Sequence, residues 1–530
     1  MARRRVLIIG LDGFDVDLAE RYVSDGALPN FARLRAEGAC YELDHGRAKL
    51  SGLAWEQFST GKSPRDGGRW SSVMFDSKRY AVRQEPSMRR PFLADLAART
   101  VVFDLPYCNL PLAPNLRGVS NWGAHDPGTP AVARPSELHE EFLSLFGPYP
   151  AAKWIYGFCW PSPDKARAAG DALRRAVLLR SRAARWLLSE RLPDWDLGVV
   201  VVAEGHSAIE TLWHGVDPDH PLHGVESAAA AASALRGVYE ATDQLIGELR
   251  EAFPDTTIVA FAMHGMGPND GDIGTMVLLP ELLYRSAYGS PYMKAVASSG
   301  SLPDGTPLLE ENASWEEMML QAVPRQKAPP TFGARLSAWL SGLPGFHFAD
   351  SHTLSVEWMP AARYAPFWPG MPAFALPAYY DGRIRINVAG RESKGIIPAA
   401  EYSKACKQTI ELLEQCTELR TGERAVGEIH WPEQNPHRVG PSDADLYVDW
   451  RAPLLGLSHP RLGSIGPVPY RRTGGHTGAH GFLCITGQDI VPGNRGVTSS
   501  FDIVPTIVDL LGEKPAIRLS GKSLAGSLSA

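Results

Sequence analysis

The chain has 530 residues, 44% hydrophobic and 21% charged, which is enough apolar material for a large folded interior and argues against a disordered chain. A net charge of −6 supplies no basic field for a phosphate backbone, so a nucleic-acid polymer is not an expected partner. No apolar stretch is long enough to cross a bilayer. The six cysteines, Cys40, Cys108, Cys159, Cys406, Cys416 and Cys484, form no CxxC pair and read as buried small hydrophobes in a reducing compartment, so a cytoplasmic location without a membrane partner is expected.

The apolar run Val6 to Leu11 has strand length, and Asp12 and Asp15 interrupt it too early for a secretory leader. Helical spacing follows from Leu18 to Glu37, broken at Pro29. A short helix is expected from Leu53 to Thr60, stopping at Gly61, with Ser51 near its N-cap, where backbone N–H groups favour an anion. Trp70 to Pro150 reads as irregular, a wall of a cleft. Arg174 to Arg191 is helical, and the β-branched run Val199 to Val202 is a buried strand. Glu226 to Glu251 reads as another helix, feeding the strand Thr257 to Ala262. Between Leu283 and Phe374 the pattern decays into Pro, Gly and Ser with scattered aromatics (Phe332, Trp339, Phe346, Phe348, Trp358, Trp368). Regular structure returns at Arg383 to Val388, in a helix Ala399 to Leu419, and in a closing helix Ile503 to Leu511.

Helix–strand alternation with fully apolar strands predicts an α/β fold, a mostly parallel central sheet with helices on both faces. The expected core is 1–282 with 375–530, and 283–374 is an inserted cap or irregular segment.

Chemistry concentrates where the apolar strands end. In such sheets ligands bind beyond the carboxyl ends of the strands, so Asp12, His206 and His264 are expected to converge. His206 and Glu210 are four residues apart and share a helix face if a helix begins after the strand. Carboxylates and imidazoles suit zinc or manganese. A serine hydroxyl is a poor nucleophile until metal coordination lowers its pKa, which points to Ser51. Lys49 and Lys62 flank the short helix as candidate phosphate contacts. Glu204 is expected to be solvated or salt-bridged, Trp55 to pack, and His214, His220 and His223 to be surface histidines of a Pro-containing loop.

These segments together resemble the alkaline phosphatase superfamily, in its type I phosphodiesterase and nucleotide pyrophosphatase branch. Gly10-Leu-Asp-Gly-Phe-Asp, Leu28-Pro-Asn-Phe-Ala-Arg-Leu and Ala54-Trp-Glu-Gln-Phe-Ser-Thr-Gly-Lys-Ser-Pro carry the N-terminal half of the resemblance. Arg383-Ile-Arg-Ile-Asn-Val-Ala-Gly-Arg, Asp443-Ala-Asp-Leu-Tyr-Val-Asp-Trp and Phe501-Asp-Ile-Val-Pro-Thr-Ile-Val-Asp-Leu-Leu-Gly extend it. The resemblance implies a pair of divalent ions, zinc foremost, bridged by the transferred group, and a Thr or Ser nucleophile that is transiently phosphorylated; with the departures below the expectation is one or two ions. Ser51 matches the nucleophile, Asp12 the first carboxylate ligand, His264 the histidine of the family's Ser-Asp-His-Gly segment, and His476 the late histidine, with His480 as its alternative.

Three departures matter. Met263 stands where an aspartate normally precedes His264, and a thioether cannot replace a carboxylate at such a cation. His206 and Glu210 stand where the family has Asp and His. The late segment holds two histidines, His476 and His480. The expected activity is metal-dependent hydrolysis of a small phosphodiester or pyrophosphate through Ser51. The alternatives are a phosphotransferase or phosphomutase of the same superfamily, a single-metal enzyme using His206, Glu210 and His476, and a noncatalytic binding member.

Overall fold

A computed structural model describes residues 4–86, 89–124, 130–156, 160–325, 356–451, 453–514 and 517–529. Contacts group the chain into two compact units, one comprising Met1–Trp70, Ser87–Asn269 and Arg472–Ala530, the other Ser71–Pro86 and Asp270–Arg471.

The first unit is built on nine strands: β1 (Val6–Leu11), β2 (Ala39–Asp44), β3 (Thr100–Phe103), β4 (Leu116–Ser120), β5 (Val132–Arg134), β6 (Leu197–Val202), β7 (Thr257–Ala262), β8 (Gly481–Thr486) and β9 (Gly493–Ser499). They lie in the order β9-β2-β8-β7-β1-β6-β3-β4-β5. The central run from β7 through β1, β6 and β3 to β4 is parallel, while β8 and β5 are antiparallel to their neighbours. The mostly parallel α/β sheet expected from the apolar runs is therefore present. Alternation along each strand sorts the side chains into two cores. Leu7, Ile9, Val200 and Ala260 face one core, which includes Leu18 of α1 (Val16–Ser24), Phe31 of α2 (Pro29–Glu37), Leu173 of α4 (Pro163–Trp186) and Leu245 of α6 (Ala228–Ala252). Ile8, Val199, Val201 and Phe261 face the other, with Trp55 and Phe58 of α3 (Ala54–Thr60) and Ile507 of α7 (Ile503–Leu510).

The segment Trp70 to Pro150 is not merely irregular, because it supplies β3, β4 and β5 to the sheet. These strands are four, five and three residues long, too short to show periodicity among the surrounding prolines and glycines. Ser51 does not cap α3 either. The position before that helix is Leu53, which has no side-chain cap, and Ser51 closes a preceding 3₁₀ turn, Gly46–Ser51.

The second unit holds a four-stranded antiparallel sheet of Ala373–Leu376, Gly382–Ile386, Leu446–Trp450 and Val426–His430. The helix expected from Ala399 is Tyr402–Glu414. Buried ion pairs tie the family-like segments there together, Arg391 with Asp445 at 2.7 Å and Arg385 with Glu392 at 2.8 Å. Trp368 is buried and stacks on Phe374, ring centroids 4.9 Å apart. Phe332, Trp339, Phe346 and Phe348 lie outside the described residues.

Among the described residues no helix is long and apolar enough to cross a membrane. Contrary to the reading of all six cysteines as isolated hydrophobes, Cys40 and Cys484 are directly opposite on β2 and β8 and form a disulfide. Cys108, Cys406 and Cys416 are buried.

Candidate active site

The carboxyl ends of three adjacent parallel strands supply the centre of the site. Asp12 follows β1, Glu204 and His206 follow β6, and His264 follows β7. The helix expected after β6 is α5 (Glu204–Leu212), so His206 and Glu210 do share a face, with His206 Nε2 3.4 Å from Glu210 Oε1. Gly13 is required for the approach of the β1 loop to this helix. Its φ is +63°, and a Cβ there would collide with the His206 backbone. Asp12 Oδ2 then bonds His206 Nδ1 at 3.1 Å.

His476 arrives on the segment before β8. Its Nδ1 donates to the Lys49 carbonyl at 3.1 Å, which leaves Nε2 aimed at His206 Nε2, 3.2 Å away. His264 Nδ1 bonds the Gly265 carbonyl at 3.1 Å, and its ring lies 4.5 Å from that of His476, centroid to centroid. Burial, reinforced by the neighbouring imidazole, pushes His264 and His476 down to about 3, so both are neutral, with a lone pair on Nε2. Burial also opposes the charged form of His206, but Asp12 and Glu210 override it and raise that ring to about 10.

Neutral imidazoles at His264 and His476 with their Nδ1 hydrogens fixed, and a carboxylate behind His206 that would hold that ring once a cation displaced its Nε2 proton, are the chemistry of a metal ligand set. The His206 to His476 and His206 to Glu210 separations of 3.2 and 3.4 Å match the edge of about 3.3 Å expected between ligands of a tetrahedral zinc. The third edge is open, since no three of these donor atoms all lie within 4.8 Å of one another. Glu210 Oε2 is paired instead with Arg472, so closing the set requires the carboxylate to turn from that guanidinium. His206, Glu210 and His476 are the residues here that could hold an ion. Met263, immediately before His264, is buried.

Ser51 is buried, and its hydroxyl donates to the Ala48 carbonyl at 2.6 Å while accepting from Leu53 N at 3.1 Å and Gln57 Nε2 at 2.9 Å. Lys49, two residues earlier, places its ammonium on the Gly478 carbonyl at 2.8 Å. Lys62 is not brought to this cluster; it follows the far end of α3, where its charge acts on Asp66. His480 is also set apart from the other imidazoles, lining a cavity of about 260 Å³ with Cys40, Tyr41 and Cys484. Of the two late histidines, His476 joins the cluster.

Glu204 is fully buried in an ion pair with Arg180 at 2.8 Å and accepts the Tyr149 hydroxyl at 3.1 Å, so it is salt-bridged rather than solvated. His214 and His220 are not surface residues. They are 0% and 4% exposed, and His214 Nε2 is 3.0 Å from Ser227 Oγ. Trp55 packs as expected, against Phe58 and Phe261.

Three residues of the site carried no signal that the sequence reading used: Arg472, Gln57 and His45. His45 immediately follows β2, packs on Phe501, bonds Ser500 through Nδ1, and lies 5.8 Å from the His264 ring. A further donor group, Glu428, His430 and Asp449, sits in the second unit, with His430 Nε2 3.0 Å from Asp449 Oδ2. Glu428 is exposed, and surface groups of this kind hold little energy without an ion.

The ends of parallel strands in an α/β sheet thus gather a carboxylate, imidazoles and a buried serine. The profile of the type I phosphodiesterase / nucleotide pyrophosphatase family matches residues 6–317, more than half of the chain, and the protein belongs to that family. No curated protein sequence matches significantly. Among solved structures, the chain is similar to murine ectonucleotide pyrophosphatase/phosphodiesterase 5 at 10% identity, TM-score 0.46, covering 99% of each chain. It is similar to the alkaline phosphatase PafA at 12% identity, TM-score 0.49, covering 99% of each chain. It is also similar to phosphonoacetate hydrolase from Sinorhizobium meliloti at 14% identity, TM-score 0.41, covering 96% of this chain and 95% of that one.

Proposed function

We propose that the protein hydrolyses a small phosphodiester or pyrophosphate, with Ser51 as the nucleophile and one divalent ion, zinc foremost, held by His206, Glu210 and His476. The observation that carries this reading is the convergence of those three side chains, two of them at 3.2 and 3.4 Å from His206 Nε2, at the edge where Asp12 and His264 also end. Bound there, the ion supplies Lewis-acid stabilisation of phosphoryl charge and lowers the pKa of an oxygen it touches. The protein's own part is positional. Asp12 holds the His206 ring through Nδ1, the Lys49 carbonyl fixes the tautomer of His476, and the Gly265 carbonyl fixes that of His264. Ser51 Oγ gives up its proton and attacks phosphorus, the P–O bond to the departing ester oxygen breaks and that oxygen takes up a proton, and water then cleaves the phosphoserine P–O bond, returning a proton to Ser51. Arg472 and Lys49 add positive charge for an anionic substrate.

Elemental mass spectrometry on protein purified without chelators tests the metal, with one ion per chain expected. Hydrolysis of bis(p-nitrophenyl) phosphate and of a nucleotide 5′-p-nitrophenyl ester tests the reaction. Ser51→Ala is expected to remove at least 99% of the rate while leaving metal content unchanged. No retained metal after reconstitution, with no turnover, replaces this reading by a noncatalytic binding protein.

A further inference from the structure

We infer that Gln57 is a catalytic residue that stabilises the Ser51 oxygen by donating an N–H to it, and that the buried His45 is the positioning residue that locks the Gln57 amide in the donating orientation. The inference rests on Ser51 being the nucleophile.

Ser51 Oγ receives two N–H donors, Leu53 N at 3.1 Å and Gln57 Nε2 at 2.9 Å. Two donors converging on one oxygen stabilise it as it becomes negative, in the way preorganised N–H groups serve other oxyanions. This matters more here than where two metals flank the nucleophile, because Met263 has removed a carboxylate from the half of the site that would hold the second ion.

An amide side chain donates only if its orientation is fixed, since a flip presents the carbonyl instead. On the far side of the Gln57 amide, Oε1 is buried, and so is His45 Nε2. Neither reaches a partner in normal hydrogen-bond geometry, and both residues line one cavity of about 10 Å³ together with Met263 and Ser500. Burial, reinforced by His264, pushes the His45 ring down to about 3 against a weaker opposing pull from the Gln57 side chain, so the ring is neutral. His45 Nδ1 is taken by Ser500, a hydroxyl that can donate. The consistent placement of hydrogens is Ser500 O–H to His45 Nδ1 and Gln57 Nε2–H to Ser51 Oγ, with an N–H on His45 Nε2 offered toward the buried Gln57 Oε1 across the small cavity they share. His45, 4% exposed, is a neutral ring whose one hydrogen aims at the amide carbonyl.

Two measurements test this on the full-length protein, one of them independent of turnover. Nitrogen-15 NMR of histidine-labelled protein, with His45 assigned by loss of its signals in His45→Gln, is expected to show the Nε2–H tautomer from pH 6 to 8. An Nδ1–H tautomer overturns the relay, because Nε2 then accepts and Gln57 must present its N–H to the histidine. For kinetics with bis(p-nitrophenyl) phosphate, Gln57→Leu is expected to lower kcat on the order of 100-fold with KM within about twofold. His45→Leu should lose about tenfold in kcat, and His45→Gln, which keeps an N–H near the Nε2 position, should recover most of that loss. Unchanged kcat in Gln57→Leu overturns the inference while leaving Ser51 in place as nucleophile. A wild-type rate that survives Ser51→Ala overturns the proposed function instead, and the tautomer still reports on the relay alone.

Discussion

Met263 separates this site most sharply from a two-metal arrangement, and replacing it measures how much a single side chain matters. It is buried beside His264 at the end of β7, so Met263→Asp restores a carboxylate at a position whose neighbour already offers an imidazole. The expected result is a rise from one to two ions per chain by elemental mass spectrometry. Unchanged stoichiometry would mean that the second half of the site is closed for reasons beyond this ligand. The buried histidines away from the ligand set make a second prediction. Burial lowers His214 to about 3 and His220 to about 4, the latter against the pull of Asp217. Each is neutral when folded and binds a proton near pH 6.5 when unfolded. Their stabilisation is therefore complete above pH 6.5 and is lost as pH falls through the folded values. Urea denaturation at pH 7.5 and 5.5 should show lower stability at the acid pH, and His214→Asn should narrow that gap by about 1 kcal/mol. The residues legible in the sequence were those at the ends of apolar runs, because a buried strand announces its own end. His45 follows β2, a strand of mixed burial near the sheet edge, and Arg472 and Gln57 carry no periodic signal of their own.

Among the elements, α5 carries two candidate ligands in nine residues, and its register depends on what holds its first turn. Glu204 opens the helix and is fully buried against Arg180, which also binds Asp104 at 2.7 Å. Asp104 in turn accepts the backbone N–H groups of Trp122 and Gly123, both at 2.7 Å. One guanidinium on α4 thus joins the end of β3, the loop after β4 and the start of α5. Arg180→Leu leaves two carboxylates buried without their cation, a change of about 3–5 kcal/mol. The expected outcome is a large drop in melting temperature together with weakened metal retention, whereas exposed Arg167→Leu should change neither. If Arg180→Leu retains metal with wild-type affinity, α5 is positioned by its packing alone. Strands β1, β6 and β7 were readable because double-sided burial makes them continuously apolar. Strands β3, β4 and β5 were not, since Thr100–Phe103 contributes only four residues and the chain between these strands is rich in proline and glycine.

At the scale of the whole chain, the Cys40–Cys484 disulfide joins residues 444 positions apart, a pairing that no local pattern could reveal. It becomes visible only once the sheet places β8 against β2 in register, with the two Cα atoms 4.2 Å apart. Closing so long a loop restricts the unfolded chain, and loop-closure entropy assigns such a link on the order of 5 kcal/mol. Protein denatured without reductant should therefore titrate two fewer thiols than the same protein after reduction. Cys484→Ser should unfold at a temperature several degrees lower than the oxidised wild type and match the reduced wild type. A full count of six thiols before reduction would remove the link from the native protein and fit the cytoplasmic location expected from the sequence. Two missing thiols fit an oxidising compartment, because disulfides persist there and are reduced in the cytosol. The thiol count thus bears on where this phosphodiesterase-family protein works as well as on what holds its sheet edge.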